Sequence, residues 1–113
     1  MVEEITTEEL HERIESGDPP QIIDIRNPDQ YERGHIPGAI NVPMHELPGR
    51  IDEIDWGDDV VVACPIGQSS VQAARLIGSY EDVEDAANVR SMAGGYQAWE
   101  YDLESGAEAA AEE

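Results

Sequence analysis

The fold is decided by residues 60–77, which read VVVACPIGQSSVQAARLI. The three consecutive valines form a short apolar run of the kind that a buried parallel strand needs. The run stops at Cys64, and a polar connection containing Gly67 follows it. Beyond the connection, apolar side chains recur at helical spacing at Ala73, Leu76, Ile77 and Tyr80. The stretch therefore predicts a strand, a short loop and a helix in succession.

The only cysteine of the chain lies where this strand ends. Ser69 and Ser70 are both good N-cap residues, so the loop is expected to lead directly into a helix N-terminus. The helix dipole and unpaired backbone N–H groups would stabilise a Cys64 thiolate, the reactive form of the side chain. The alternative is a buried structural cysteine, since a free cysteine often packs as a small apolar residue. The loop-to-helix geometry favours the reactive interpretation.

On the N-terminal side of this stretch, helix and strand patterns alternate. Thr6 and Glu9 form a capping box, which predicts a helix that ends at Gly17. Residues 22–25 (IIDI) predict a strand that is covered on both faces, and a short helical segment through Tyr31 follows.

The remaining segments continue the alternation. Residues 34–43 (GHIPGAINVP) predict a fixed irregular path with a short strand over 39–41. Apolar residues at positions 47, 51 and 54 predict another helix. Residues 88–92 predict a last strand, and the Gly94-Gly95 turn is expected to lead into a final helix carrying Tyr96, Ala98 and Trp99.

Together these elements predict an α/β domain with a mainly parallel central sheet flanked by helices on both faces. Cys64 and Arg26 each follow a strand end, which predicts that both lie at the edge of the sheet where sites form. The 113 residues suffice for one domain, assigned to residues 1–103. Residues 104–113 are expected to be a frayed acidic tail.

The charge balance restricts the partners. The chain has 26 acidic residues against 6 arginines, no lysine and a formal net charge of -20. Such a charge argues against binding to nucleic acid or to an anionic membrane. With one cysteine and neither a membrane-spanning run nor a secretory signal, we expect a cytoplasmic protein. The acidic surface without lysine is typical of adaptation to molar salt, as in a halophilic prokaryote.

Four segments together resemble a single-domain rhodanese: residues 23–26 (IDIR), 34–39 (GHIPGA), Cys64 at its strand–loop–helix, and 94–99 (GGYQAW). The resemblance implies the rhodanese-like fold and sulfurtransferase activity. It implies that Cys64 takes a sulfane sulfur from a donor and carries it as a persulfide to a thiophilic acceptor. The implied partners are a small anionic donor such as thiosulfate, or a protein sulfur carrier. No cofactor and no metal site are expected.

The resemblance also assigns the residues around the cysteine. The implied loop runs from Cys64 to Ser69, and the helix begins at Ser70. The residues implied to bind the persulfide are those of the loop after the cysteine together with the first helix residue: Pro65, Ile66, Gly67, Gln68, Ser69 and Ser70. Members that use thiosulfate often have arginine at the position of Ser69. Pro65 also lacks an N–H group, which removes one possible donor to the sulfur.

Three further residues are expected in supporting roles. Asp24 and Arg26 resemble the strand-end pair of the family, and a structural salt bridge is preferred over donor binding by Arg26. His35 is expected to bond locally within its loop rather than to act as a base.

Two other functions compete with the enzyme. One is a non-enzymatic sulfur-relay or protein-interaction module, which Ser69 favours because a protein donor needs no anion-binding arginine. The other is a cysteine-dependent phosphatase or arsenate reductase. That chemistry requires an arginine six residues after the cysteine, where this chain has Ser70, so it ranks last.

Overall fold

The computed structural model describes residues 2–105. Its sheet has five strands in the order β1-β5-β4-β2-β3, and all four neighbouring pairs are parallel. The strands are β1 (Glu3–Ile5), β2 (Gln21–Asp24), β3 (Ile40–Asn41), β4 (Val60–Ala63) and β5 (Val89–Met92). β4 lies at the centre of the sheet and each of its residues is buried, as the triple valine predicts.

The helices are α1 (Thr7–Glu15), α2 (Pro28–Arg33), α3 (Leu47–Arg50) and α4 (Ser69–Gly78). The predicted capping box begins α1: the Glu9 N–H donates to Thr6 Oγ1 at 3.0 Å, and the Thr6 N–H donates to Glu9 Oε1 at 3.2 Å. Single 3₁₀ turns occupy Met44–Glu46, Ile51–Glu53, Ala86–Asn88 and Gly95–Ala98.

A hydrophobic cluster covers each face of the sheet. Val60, Val62 and Cys64 pack with α4 on one face, while Val61 and Ala63 pack on the other. This alternation follows from the two-residue period of a strand. The parallel α/β architecture predicted from the sequence is therefore confirmed.

Three local predictions are wrong. The helix expected over positions 47–54 is broken into α3 and the 3₁₀ turn Ile51–Glu53, and Pro48 and Gly49, both poor helix residues, lie inside this stretch. The expected final helix is the single 3₁₀ turn Gly95–Ala98. α4 begins at Ser69 rather than at Ser70, with Gln68 as its N-cap and no side-chain cap.

Both ends of the described chain also differ from expectation. No pattern in the sequence predicted β1. Its Glu3 and Glu4 are exposed because this strand forms one edge of the sheet. Glu104, the first residue of the expected tail, exchanges two backbone hydrogen bonds of 2.8 Å with His35. The rest of that tail, from residue 106 onward, lies outside the described residues.

Candidate functional site

The predicted site residues that follow β2 and β4 lie together at the carboxyl ends of these strands. Asp24 lies opposite Ala63 in the parallel register, and the Ile25 N–H donates to the Ala63 carbonyl at 3.0 Å. Cys64 and Arg26 therefore follow adjacent strand ends, as expected from the sequence.

The Cys64 sulfur is fully buried and surrounded by the loop that follows it. The backbone N–H groups of Gly67 and Ser70 donate to Cys64 Sγ at 3.0 and 3.3 Å. In the thiol form, Cys64 donates to Ser70 Oγ at 3.2 Å. Two main-chain donors and one hydroxyl thus converge on this sulfur, an environment suited to a sulfur atom that carries negative charge.

The remaining loop residues form the outer rim of the site. Pro65, Ile66, Gln68 and Ser69 are exposed, and Ile66 keeps 51% of its surface accessible. Of the six residues assigned to the loop after the cysteine, Gly67 and Ser70 hydrogen-bond to the sulfur.

The Gly94-Gly95 turn packs directly against this loop. A Cβ atom on Gly95 would lie 2.3 Å from the Cys64 carbonyl oxygen and 2.6 Å from the Gly67 nitrogen. The N–H groups of Tyr96 and Gln97 donate to the carbonyls of Cys64 and Pro65 at 2.8 and 2.9 Å. Sequence reasoning treated this turn as the start of a helix and missed its contact with the loop, although two adjacent glycines are a signal of close backbone approach.

The Tyr96 side chain connects the cysteine loop to the neighbouring strand end. Its hydroxyl donates to Asp24 Oδ2 at 2.9 Å and accepts from the Ile36 N–H at 3.0 Å. Burial, and secondarily the charge of Asp24, raise the pKa of this hydroxyl well above its usual range. Tyr96 therefore remains a neutral donor at any physiological pH.

Asp24 and Arg26 form the predicted salt bridge, with Arg26 Nη2 2.8 Å from Asp24 Oδ2. Nη2 also donates to the Gly34 carbonyl at 2.7 Å, and the guanidinium lies 3.5 Å from the centroid of the Tyr96 ring. Burial alone lowers the pKa of Arg26, but the hydrogen bonds and charge of Asp24 outweigh it and the pKa is raised. Arg26 therefore connects the end of β2 to Gly34 and to Tyr96.

The His35 side chain bonds to a residue of α2, four positions earlier in the chain. Its Nδ1–H donates to the Tyr31 carbonyl at 2.7 Å, and its ring stacks on the Tyr31 ring at a centroid distance of 3.8 Å. Nε2 lies 3.7 Å from Glu104 Oε1. These contacts account for the burial of the imidazole, and the supporting role of His35 stays a prediction.

One further residue of the site was not predicted at all. Ser91, in the middle of β5, places its Oγ 2.6 Å from Ser70 Oγ, and both residues are fully buried. A lone serine inside a predicted strand carries no signal in the sequence pattern, because only the sheet order brings β5 next to β4.

Residues 2–105 contain no group of three or more His, Cys, Asp or Glu side chains arranged to hold a metal ion. The same span includes no helix that is long and apolar enough to cross a membrane.

The fold and the site define a parallel α/β domain with a cysteine at the end of a strand. The cysteine sulfur accepts hydrogen bonds from main-chain N–H groups where the following loop leads into a helix. The family model described as the rhodanese-like domain matches residues 6–102. The chain therefore belongs to the rhodanese-like family.

Two curated relatives are sulfurtransferases. One, a sulfurtransferase of Allochromatium vinosum, is 36% identical over 99 residues, which cover 88% of this chain and 89% of the relative. The other, the thiosulfate sulfurtransferase PspE of Escherichia coli, is 39% identical over 75 residues, covering 63% of this chain and 72% of that protein.

The fold also matches a solved structure. A rhodanese-like domain protein from Staphylococcus aureus superposes with a TM-score of 0.78 at 26% identity, and the match covers 92% of this chain and 98% of that one.

Proposed function

We propose that this chain is a sulfurtransferase that carries a sulfane sulfur as a persulfide on Cys64. The observation that supports this most directly is the position of Cys64 Sγ just after the end of β4. There it accepts hydrogen bonds from the N–H groups of Gly67 and Ser70. These donors stabilise the thiolate that attacks the donor, and they stabilise it again when the acceptor removes the outer sulfur and Cys64 leaves as a thiolate.

The proposed reaction has two steps. The Cys64 thiolate attacks the sulfane sulfur of the donor, a new S–S bond forms, and the old bond to that sulfur breaks. With thiosulfate as donor, the electron pair of the broken bond leaves with sulfite. A thiophilic acceptor such as cyanide then attacks the outer sulfur, and the electron pair of the cleaved S–S bond regenerates the thiolate.

The physiological donor we favour is a persulfide on another protein, with thiosulfate as the alternative. Ser69 is exposed where an anion-binding arginine would stand, and the Arg26 guanidinium is bound to Asp24 and Gly34. The net charge of -20 also repels small anions. A sulfur-relay module that is loaded only by a partner protein is the second candidate, and the same observations favour it.

The phosphatase or arsenate reductase alternative has little support. A bound oxyanion requires a guanidinium at the sixth position after the cysteine. Ser70 occupies that position, and its buried hydroxyl contacts Cys64 Sγ and Ser91 Oγ instead.

Mass spectrometry of the intact protein after incubation with thiosulfate tests the proposal. We expect the mass of one added sulfur atom, which is removed by cyanide with release of thiocyanate. Cys64→Ser is the matched control, because a serine hydroxyl takes the same hydrogen bonds and should change the melting temperature by less than about 5 °C.

A Cys64→Ser variant that retains transfer to cyanide would contradict the persulfide mechanism. Unfolding of that variant would support the structural interpretation of the cysteine. If thiosulfate adds no sulfur but a persulfide-bearing protein does, the chain is loaded by a partner protein, which the favoured donor and the relay candidate both require, and thiosulfate is excluded as a donor.

A further inference from the structure

A second buried hydroxyl lies behind the one that contacts the cysteine sulfur. Ser91 Oγ is 2.6 Å from Ser70 Oγ, which is 3.2 Å from Cys64 Sγ. All three residues are fully buried, so their hydrogens must find acceptors inside the protein. The three atoms form a short chain of hydrogen bonds that ends at the sulfur.

The direction of this chain depends on whether the sulfur carries a proton. In the thiol form, Cys64 donates to Ser70 and Ser70 donates to Ser91, whose own hydrogen has no acceptor among the contacts of residues 2–105. When the sulfur has no proton, Ser91 donates to Ser70 and Ser70 donates to the sulfur. Every hydrogen of the chain is then used, and each bond polarises the next.

We propose that Ser91 is a positioning residue that turns the Ser70 hydroxyl toward Cys64 Sγ and so favours the unprotonated sulfur. The sulfur then receives three donors, the N–H of Gly67 and both the N–H and the O–H of Ser70. A thiolate and the inner sulfur of a persulfide both lack a proton and suit this arrangement. The inference rests on the proposed function of Cys64 and adds a residue to it.

The location of Ser91 supports a specific role for its hydroxyl. Ser91 lies in β5 of a parallel sheet, paired in register with Glu4 on one side and Val62 on the other. A buried position of this kind ordinarily holds an apolar side chain, because a hydroxyl there loses its water. The hydroxyl of Ser91 has Ser70 as its partner, and Ser70 in turn contacts the sulfur.

A matched pair of variants isolates the hydroxyl. Ser91→Thr and Ser91→Val add side chains of the same shape, and only threonine retains the hydroxyl. We measure the thiolate absorbance of Cys64 at neutral pH, with Cys64→Ser as the blank, and the rate of persulfide formation with thiosulfate. We expect Ser91→Val to lower both by about fivefold relative to Ser91→Thr, equivalent to roughly 1 kcal/mol.

The same position-91 variants made in a Ser70→Ala protein test whether Ser91 acts through Ser70. In Ser70→Ala, the difference between the threonine and valine variants at position 91 should disappear. Ser91→Ala in both backgrounds gives the same comparison if the larger side chains prevent folding, which circular dichroism reports. Equal behaviour of the hydroxyl and apolar variants, or a difference that persists in Ser70→Ala, would overturn the proposal.

The thiolate absorbance needs no sulfur donor, so the inference is tested separately from the proposed function. A difference in absorbance without persulfide formation from thiosulfate or from a persulfide-bearing protein on any variant would refute the sulfurtransferase and leave the role of Ser91 standing.

Discussion

At the residue scale, the arginine at the neighbouring strand end is not available to an incoming anion. Arg26 donates to Asp24 and to the Gly34 carbonyl, and its guanidinium covers the Tyr96 ring. Ser69, at the start of α4, has a side chain that points to solvent and carries no charge. We therefore expect a small anionic donor to depend on the main-chain donors of the loop for its binding.

Ser69→Arg should lower the KM for thiosulfate, because a guanidinium at the loop end adds a charge-assisted contact worth at most roughly 1.5–3 kcal/mol. The neighbouring Gln68→Arg is the control, since it adds the same charge at another exposed position of the same loop. Steady-state kinetics with thiosulfate and cyanide measure both variants. An equal fall in KM for the two would mean that net charge, and not the position of residue 69, governs donor binding.

At the scale of elements, the site depends on the close packing of the Gly94-Gly95 turn against the cysteine loop. Gly95→Ala places a Cβ 2.3 Å from the Cys64 carbonyl oxygen at a backbone φ of +64°, so the loop must move. We expect a loss of stability of about 1–3 kcal/mol and a severe loss of sulfur transfer.

Gly17→Ala is the matched control for Gly95→Ala. Gly17 has a φ of +82° with open space around it, so an alanine there carries the backbone strain without a clash. This variant should keep its activity. If Gly95→Ala matches Gly17→Ala in melting temperature and in activity, the turn does not hold the loop.

A second contact connects α1 and β5 through Asp59, the residue immediately before β4. Arg13 Nη2 and Arg90 Nη2 lie 2.6 and 3.0 Å from the two carboxylate oxygens of Asp59. Partial burial alone raises the pKa of Asp59, but the hydrogen bonds and charges of the two arginines outweigh it, and the pKa is lowered. The folded state therefore binds this proton less tightly than the unfolded chain does.

The stability from Asp59 is present above its unfolded pKa of about 3.9 and is lost as the pH falls through the lower folded value. Asp59→Asn should lower the melting temperature by a few degrees at neutral pH, because a partly exposed ion pair contributes about 1 kcal/mol. The gap to the wild type should close in acid. The exposed pair of Asp29 with Arg33 supplies the control, and Asp29→Asn should change little. A gap that is independent of pH would contradict this account.

The elements also differ in how far the sequence determines them. The triple valine and the capping box at Thr6 predict β4 and α1 well, because burial on two faces and a side-chain cap leave local patterns. β1 leaves no such pattern, since an edge strand needs apolar residues only where it meets the core. The Cys64 loop was predicted, but the contact with Gly95 and the hydroxyl of Ser91 come from strands that are distant in sequence.

At the scale of the whole molecule, most of the few positive charges are paired with carboxylates. Five of the six arginines contact a carboxylate: Arg13, Arg26, Arg33, Arg50 and Arg90. Arg75, on α4, is exposed and has no carboxylate partner among the described residues. The net charge of -20 thus acts as a repulsive field both within the chain and toward anions.

We propose, from this charge, that the protein works in the cytosol of a halophile, and salt tests the proposal. Raising KCl from about 0.1 M to about 1 M shortens the Debye length from ~10 Å to ~3 Å. Repulsion within the chain and toward an anionic donor is then screened, while the short bonds from Gly67 and Ser70 to the sulfur change little. The melting temperature and kcat/KM for thiosulfate should therefore both rise.

Circular dichroism at each KCl concentration separates the gain in folding from the gain in donor binding. Alkylation of Cys64 provides the control, because iodoacetamide is neutral and iodoacetate is an anion of similar size. Above the salt at which folding is complete, added KCl should accelerate iodoacetate more than iodoacetamide, since both reagents need the thiolate but only iodoacetate is itself repelled by the field. Flat melting temperatures and a flat kcat/KM would contradict the halophile proposal. Activity that falls with salt while the fold persists would instead indicate that a local positive charge, for which Arg75 is the available side chain, attracts the donor.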